Sequence, residues 1–204
     1  MMQVVIATLN PGKYRELAEP LKVIGWEPRP LFDFGFELPE ETGTTFEDNA
    51  FMKAATVAQK TRLSALADDS GLVVDALGGE PGIYSARYGG RTNDRDRNVY
   101  LLERLRGTPL SKRTARFVAV LALAHPDGHV ETYRGEVEGV ILEAPRGTGG
   151  FGYDPLFYLP DLGKTFAEMT PEEKARYSHR AKALEKLIEA WKHGPPPREI
   201  WPLE

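Results

Sequence analysis

The sequence contains no cysteine, so disulfide bonds, thiol catalysis and cysteine-ligated metal centres are excluded. It also contains no uninterrupted apolar stretch of about 18 residues, the length that a membrane-spanning helix needs. The N-terminal segment, residues 1–6, lacks the basic region and the long apolar run of a secretory signal peptide. These absences predict a cytoplasmic protein that works without a membrane.

Positive charge is also in deficit. The 26 Lys and Arg residues are outnumbered by 30 Asp and Glu residues, which gives a net charge of -4. This balance argues against a protein that binds nucleic acid, although a local group of basic side chains can still hold a small anion. With 204 residues and 41% hydrophobic content, the chain is long enough for a substantial core, and we expect a single domain over residues 1–204.

Helical and strand patterns alternate along the first half of the chain. Short apolar runs predict buried strands, and apolar residues at helical spacing predict helices between them. The predicted strands are residues 3–8, 27–31, 64–68, 72–76, 114–124, 129–137 and 138–142, and the predicted helices are residues 13–24, 45–60, 93–105 and 171–192. A Pro-Asp-Gly turn at residues 126–128 joins two of these strands in a hairpin. The order predicts a mixed-sheet α/β fold.

Two adjacent carboxylates, Asp68 and Asp69, follow a short apolar run and precede Ser70 and Gly71, which we expect to turn the chain. A strand places neighbouring side chains on opposite faces, so one Asp can point into a site while the scaffold holds the other. Carboxylates on a rigid edge suit Mg²⁺, which takes oxygen ligands. A solvated Asp-Asp turn is the alternative.

A strand-to-helix turn near the N-terminus predicts a phosphate site, because backbone N–H groups at a helix N-terminus attract anions. We call residues 8–13 the phosphate turn; its members are Thr8, Leu9, Asn10, Pro11, Gly12 and Lys13. The spacing of a Walker A loop is absent. An ordinary turn with an Asn-Pro-Gly break is the alternative.

An acidic loop, residues 34–43, precedes the helix predicted at residues 45–60. Its Glu40 or Glu41 could join Asp69 on a cation. Asn49 and Lys53 are four residues apart and therefore lie on one face of that helix. A solvated acidic loop above an ordinary helix face is the alternative.

A glycine-rich loop, residues 149–155, offers a surface for a flat ligand, because glycine lets a backbone approach closely. Phe151 or Tyr153 could stack on a base, Gly152 separates these two rings, and Asp154 could accept hydrogen bonds from ring N–H groups. A glycine-rich hairpin with aromatic packing is the alternative.

The last candidate segment lies on the predicted C-terminal helix, where Lys174 and Ser178 share a face and His179 and Arg180 follow. His179 and Arg180 could donate hydrogen bonds to a purine carbonyl. A basic helix surface is the alternative. A Ser–His hydrolase pair is disfavoured, because adjacent residues on a helix diverge by about 100°.

Taken together, these segments supply what a nucleoside triphosphate with Mg²⁺ needs, and their pattern resembles the inosine triphosphate pyrophosphatase family over nearly the whole chain. The motifs are Thr8-x-Asn10-x-Gly12-Lys13, Glu41-Thr42-Gly43, Asn49-Ala50, Lys53-Ala54, Asp68-Asp69-Ser70-Gly71-Leu72, Gly78-Gly79-x-Pro81-Gly82-x-Tyr84-Ser85-Ala86-Arg87, residues 147–155 and Ser178-His179-Arg180. One departure is Asp48, where the family usually has Glu.

The resemblance implies an ITPase-like α/β fold: a central mixed, twisted β-sheet flanked by helices, in two lobes with a cleft between them. It implies hydrolysis of ITP, dITP and XTP to the nucleoside monophosphate and pyrophosphate, with Mg²⁺ as cofactor, Mn²⁺ as a substitute, and a homodimer. The alternatives are a nucleotide-binding sensor without turnover and a related pyrophosphatase for modified pyrimidine nucleotides.

The resemblance also assigns roles to residues. Asp69 is expected to be the catalytic base and a metal ligand, Glu40 is the second metal ligand with Glu41 left open, and Asp68 belongs to the scaffold. The phosphate turn, Lys53 and Ser70 are expected to hold the triphosphate. The base is expected to contact Phe151, Gly152, Tyr153, Asp154, Lys174, His179 and Arg180.

Overall fold

The computed structural model describes residues 1–197, so the last seven residues of the domain predicted over residues 1–204 lie outside the described part. The strands are β1 (Gln3–Ile6), β2 (Glu27–Pro30), β3 (Ser64–Val74), β4 (Thr114–Ala124), β5 (Val130–Ile141), β6 (Phe157–Leu159) and β7 (Lys164–Thr165). The α-helices are α1 (Pro11–Val23), α2 (Phe46–Thr61), α3 (Asp94–Arg104), α4 (Pro171–Tyr177) and α5 (His179–Ala190). No helix within residues 1–197 is long and apolar enough to cross a membrane.

All seven strands form one sheet in the order β2-β1-β3-β4-β5-β6-β7. β1 runs parallel to both β2 and β3, and the remaining neighbours are antiparallel. Strands β3, β4 and β5 are much longer than the others and form the centre of the molecule. The predicted mixed sheet flanked by helices is therefore confirmed.

Side-chain alternation along the strands builds one core on each face of the sheet. On one face, apolar side chains of β1, β3 and β4 pack against Leu17 and Leu21 of α1 and Leu184 of α5. On the other face, the intervening strand residues pack against α2 through small side chains such as Ala50 and Ala54. The small side chains bring α2 close to β3, which places polar groups of the helix beside the strand.

A third apolar cluster forms a second lobe at the other end of the long strands. It combines Leu72 and Val74 of β3 with residues of α3, β6 and the irregular 3₁₀ segment Gly82–Gly90. Asp68 and Asp69 lie in β3 between Ala67 of the first lobe and Leu72 of the second. The two-lobed arrangement thus puts the acidic pair at the boundary between the lobes.

The prediction that Ser70 and Gly71 turn the chain was wrong, because β3 continues through them to Val74. Its residues pair with β4 without a break, from Ala65 opposite Ala124 to Val74 opposite Ala115. Glycine is needed at position 71 because of packing and not because of a turn. A Cβ there would lie 2.3 Å from the carbonyl oxygen of Gly82, so only glycine lets the 3₁₀ segment approach the strand.

Two other boundaries also differ from the prediction. Residues 129–137 and 138–142 are one strand, β5, because pairing with β4 continues across them. The helix predicted over residues 171–192 is two helices, α4 and α5, which separate at Ser178. Ser178 has extended backbone angles, and its Oγ accepts a hydrogen bond from the N–H of Ala181 at 3.0 Å, which caps α5. Lys174 and Ser178 therefore do not share a helix face.

Candidate active site

Strand β3 presents Asp68 and Asp69 to opposite faces of the sheet, as alternation requires. Asp68 faces α1 and α5, where its Oδ1 lies 2.7 Å from Nζ of Lys13 and its Oδ2 accepts from Nε of Arg180 at 3.0 Å. Asp69 faces the α2 side. Asp68 is therefore the carboxylate that the surrounding protein holds in place, and that Asp69 points into a site stays a prediction.

Asp68 is fully surrounded by protein and positive charge. Burial alone would raise the pKa of its carboxyl group, but Arg180 and Lys13 hold the pKa well below the ordinary value. Burial lowers the pKa of Lys13, and the adjacent Asp68 counteracts this effect. Because each charge is compensated by a neighbour, the cluster is stable only when both signs are present.

Asp69 has the opposite electrostatic setting. Burial raises the pKa of its carboxyl group to about 7; Lys53 opposes the shift, and Glu41 and Asp68 add to it. Its Oδ2 is buried and has no hydrogen-bond partner within residues 1–197. A buried carboxylate oxygen without a partner, on a group that titrates near neutral pH, is suited to bind a cation or to accept a proton.

Lys53 links the acidic loop to the backbone of strand β3. Nζ of Lys53 donates to the backbone oxygen of Asp68 at 2.6 Å and to Oε1 of Glu41 at 3.1 Å. The side chain of Glu40 is exposed, and no hydrogen bond or ion pair within residues 1–197 engages it. No three His, Cys, Asp or Glu side chains in that part of the chain form a ready metal site.

The start of α2 is held against the acidic loop by Asn49. Its Oδ1 accepts from the N–H of Gly43 at 2.8 Å, while its Nδ2 is buried without a hydrogen-bond partner in the described chain. Thr45 caps the helix by accepting from the N–H of Asp48 at 3.0 Å. The predicted helix start is confirmed, and Asn49 faces the same side as Lys53.

The phosphate turn is a capped helix start. Oδ1 of Asn10 accepts from the N–H groups of Gly12 at 2.9 Å and Lys13 at 3.1 Å, and Thr8 Oγ1 accepts from the N–H of Asn10 at 3.1 Å. Leu9 is exposed and Pro11 occupies the first helical turn. The N–H groups of Gly12 and Lys13 are thus bonded to the side chain that caps the helix.

The glycine-rich loop is fastened by its own carboxylate. Oδ2 of Asp154 accepts from the N–H of Phe151 at 3.1 Å and from Nζ of Lys174 at 2.7 Å. The ring of Phe151 lies 4.4 Å from Nζ of Lys174, and a Cβ on Gly12 would lie 2.5 Å from that ring. Phe151 therefore bridges the phosphate turn and the C-terminal cluster.

Tyr153 points away from Phe151 and into the second lobe. Only 5% of it is exposed, and its hydroxyl donates to the backbone oxygen of Ser85 at 2.6 Å. Of the two aromatic residues proposed for base stacking, Phe151 is thus the one that faces the basic cluster. Tyr153 anchors the loop to the 3₁₀ segment.

Lys174 and Arg180 meet at a residue that the sequence analysis missed, Glu16 of α1. Its Oε1 lies 2.6 Å from Nζ of Lys174, and its Oε2 accepts from Nη1 of Arg180. Arg180 also donates from Nη2 to Oγ of Ser70 at 2.8 Å, so each of its guanidinium nitrogens is engaged. Glu16 lies one turn after Lys13, which was the available signal.

His179 lies between this cluster and the apolar core. Its ring stacks on Phe117 with 4.6 Å between the centroids, and burial holds its pKa well below the ordinary value. Its Nδ1 is buried and without a hydrogen-bond partner in residues 1–197. A neutral imidazole with a free ring nitrogen can still exchange a hydrogen bond with a ligand.

Residues 4–190 match the model of the Ham1 family. The chain belongs to the Ham1 family. It is 68% identical to the dITP/XTP pyrophosphatase of Thermus thermophilus over 203 residues, which cover 100% of this chain and 98% of that protein. It is 55% identical to the dITP/XTP pyrophosphatase of Deinococcus deserti, over 97% of this chain and 93% of that protein.

Solved structures of Ham1 proteins have the same fold. A HAM1 protein from Coxiella burnetii matches with a TM-score of 0.87 and 41% identity, over 95% of this chain and 100% of that one. The Ham1 protein of Staphylococcus aureus matches with a TM-score of 0.82 and 40% identity, over 93% of this chain and 98% of that one. Family membership, which the motifs predicted, is therefore confirmed.

Proposed function

We propose that this Ham1-family protein hydrolyses dITP, ITP and XTP to the nucleoside monophosphate and pyrophosphate, and so removes deaminated purines from the nucleotide pool. The proposal rests on one observation above all. Asp69 presents a buried carboxylate oxygen that has no hydrogen-bond partner within residues 1–197, and it lies next in β3 to Asp68, whose carboxylate is bound by Lys13 of the phosphate turn and by Arg180. The names of the relatives in Thermus and Deinococcus support this activity on dITP and XTP.

The proposed cofactor is Mg²⁺, with Mn²⁺ as a substitute because both take oxygen ligands. Asp69 would hold it through the free Oδ2. Glu40 is the proposed second ligand, since Lys53 already engages Glu41; Glu41 remains the alternative. When bound, the ion would offset the negative charge of the phosphates.

In the proposed reaction, water attacks the α-phosphorus, the bond to the bridging α–β oxygen breaks, and pyrophosphate leaves. Asp69 would accept the proton of the attacking water, the role of a general base. The phosphate turn, including Lys13, would hold the triphosphate together with Lys53 and Ser70. These residues contribute positive charge and donors, which orient the chain of phosphates for in-line attack.

The proposed selectivity comes from matching hydrogen bonds. Hypoxanthine and xanthine carry a 6-oxo group that accepts, whereas adenine carries an amino group that donates. His179 and Arg180, both buried, are the proposed donors, and Nδ1 of His179 has no hydrogen-bond partner within residues 1–197. A buried donor that faces an amino group has no acceptor. The resulting free-energy penalty weakens the binding of adenine and so favours the 6-oxopurines. Guanine would be rejected through its 2-amino group near residues 151–154.

A homodimer is proposed on the strength of the family resemblance. It would show in sedimentation as a particle of twice the chain mass. A monomer at micromolar concentration would overturn this part of the proposal without touching the chemistry.

The test is pyrophosphate release from the purified protein with Mg²⁺, comparing dITP and XTP with dATP, dGTP and dTTP. We expect rapid release from dITP and XTP only, and a loss of about 10²- to 10⁴-fold in Asp69→Asn. Asp75→Asn is the matched control, because Asp75 follows the same strand but pairs with Arg116 and Thr114. Release of single phosphate, or equal turnover of all five nucleotides, would contradict the proposal. Binding without turnover would favour a sensor.

A further inference from the structure

Helix α3 of the second lobe forms hydrogen bonds with both peptide groups of Gly152 in the glycine-rich loop. The N–H of Gly152 donates to Oδ2 of Asp94 at 2.9 Å, and Nδ2 of Asn98 donates to the carbonyl oxygen of Gly152 at 3.0 Å. Asp94 and Asn98 are four residues apart and therefore lie on the same face of α3. Two opposite hydrogen bonds thus fix both peptide groups of Gly152.

The holding residues are themselves fixed. Nη2 of Arg97 donates to the other oxygen of Asp94 at 2.7 Å, and its Nη1 donates to the backbone oxygen of Ala86 at 2.9 Å. Asn93 caps α3 by accepting from the N–H of Asp96 at 2.8 Å. The amide of Asn98 therefore acts from a helix that is tied to the 3₁₀ segment.

The two hydrogen bonds to Gly152 matter because the backbone of this residue determines the course of the loop. Its φ of +61° lies in the left-handed region, so the chain reverses direction between Phe151 and Tyr153. On one side of the reversal, Phe151 reaches Lys174; on the other, Tyr153 is anchored in the second lobe. The orientation of Gly152 therefore sets where the Phe151 ring lies.

We infer that Asp94 and Asn98 are positioning residues for the purine base: by holding Gly152, they fix the Phe151 ring and the Asp154 carboxylate in the arrangement that binds it. The inference rests on the proposed function. Neither side chain belongs to the cluster around Lys174 and Arg180. They act through the loop, so their loss should weaken binding of the base more than it slows the chemical step at Asp69.

The experiment compares variants that differ in hydrogen-bond direction. Asp94 accepts, so Asp94→Ala loses the bond, whereas Asp94→Asn keeps an acceptor. Asn98 donates, so Asn98→Ala and Asn98→Asp both lose the bond, the second despite its equal size. Asp96→Ala is the matched control, since it removes an acid from the same helix turn without touching the loop.

The expected result is a rise in KM for dITP of about five-fold in Asp94→Ala, Asn98→Ala and Asn98→Asp, with kcat within about two-fold of wild type. Asp94→Asn and Asp96→Ala should keep the wild-type KM. Binding of dIMP, measured by calorimetry, should weaken in the same three variants, and this readout needs no turnover. A purely structural role would lower thermal stability without this directional split.

The outcomes separate the two proposals. Wild-type protein that binds dIMP but releases no pyrophosphate refutes the proposed function, and the dIMP affinities of the variants then decide the positioning role alone. Wild-type affinity in Asn98→Asp, or equal losses in Asp94→Ala and Asp96→Ala, overturns the inference while leaving the pyrophosphatase proposal intact. A fall in kcat at unchanged KM also overturns it.

Discussion

Replacement of Arg180 by methionine should strongly destabilise the fold, because the guanidinium compensates two carboxylates. Arg180 is 2% exposed and donates to Asp68, Glu16 and Ser70. Removing one partner of a buried ion pair costs about 3–5 kcal/mol. Asp68 keeps Lys13 and Glu16 keeps Lys174, so we expect the lower end, about 3 kcal/mol at pH 7. That is a large fraction of the free energy of unfolding of a typical domain, which is roughly 5–15 kcal/mol.

The assay is urea unfolding of wild type, Arg180→Met and the control Arg176→Met. Arg176 lies on the exposed side of α4, so its replacement should change the unfolding free energy by less than about 0.5 kcal/mol. A loss below about 1 kcal/mol in Arg180→Met, or equal losses in both variants, would refute the reasoning that the buried network depends on this cation.

The difference in unfolding free energy between wild type and Arg180→Met should depend on pH in a definite direction. The pKa of Asp68 is depressed in the folded protein, so its ionisation stabilises the fold above its unfolded pKa of about 3.9 and ceases to do so as the pH falls through the folded value. Without Arg180, the folded pKa rises. The loss of unfolding free energy in Arg180→Met should therefore be largest near neutral pH. It should become smaller as the pH falls through the raised pKa of Asp68 in the folded variant. A difference that grows towards acid pH would contradict the assignment.

Three further predictions concern the strand, the loop anchor and the cofactor. Gly71→Ala should lower the unfolding free energy by about 1–3 kcal/mol, since the new Cβ would lie 2.3 Å from the oxygen of Gly82; wild-type stability in urea unfolding would rule out that close approach. Tyr153→Phe should cost about 1 kcal/mol through loss of the hydrogen bond to Ser85, measured the same way, and an unchanged midpoint would contradict it. Chelation of divalent cations should abolish pyrophosphate release from dITP, and added Mg²⁺ or Mn²⁺ should restore it; activity that persists in chelator would argue against the proposed cofactor.

The acidic pair shows what a sequence can and cannot supply. Alternation along a strand correctly predicted that Asp68 and Asp69 face opposite sides. The extent of the strand was wrong, because Ser70 and Gly71 are local turn signals, whereas the close approach of Gly82 that requires Gly71 arises only in the folded chain. Local sequence patterns predict the alternation of side chains along a strand. They do not show that a distant segment of the chain packs against that strand.

The missed residues share a second reason. Asp94 and Asn98 look like ordinary polar residues on a helix surface, and nothing next to them in the sequence marks them. For Glu16 the one signal was its position a turn after Lys13. Glu16 pairs with Lys174 and Arg180 from the opposite end of the chain, and Asn98 bonds to a glycine 54 residues away in the sequence. The break between α4 and α5 was missed similarly, because helical spacing continues through Ser178 while its side chain caps the second helix.

One carboxylate joins the two halves of the proposed substrate site. Oδ1 of Asp68 is bound by Lys13 of the phosphate turn, and Oδ2 by Arg180 of the base cluster. Neither cation can shift without changing the charge balance that the other experiences, since both contact the same buried carboxylate. Asp68 thus fixes the distance between the groups proposed to hold phosphate and those proposed to hold the base. Asp69, next along the strand, takes no part in this pairing and is the residue proposed for the chemistry.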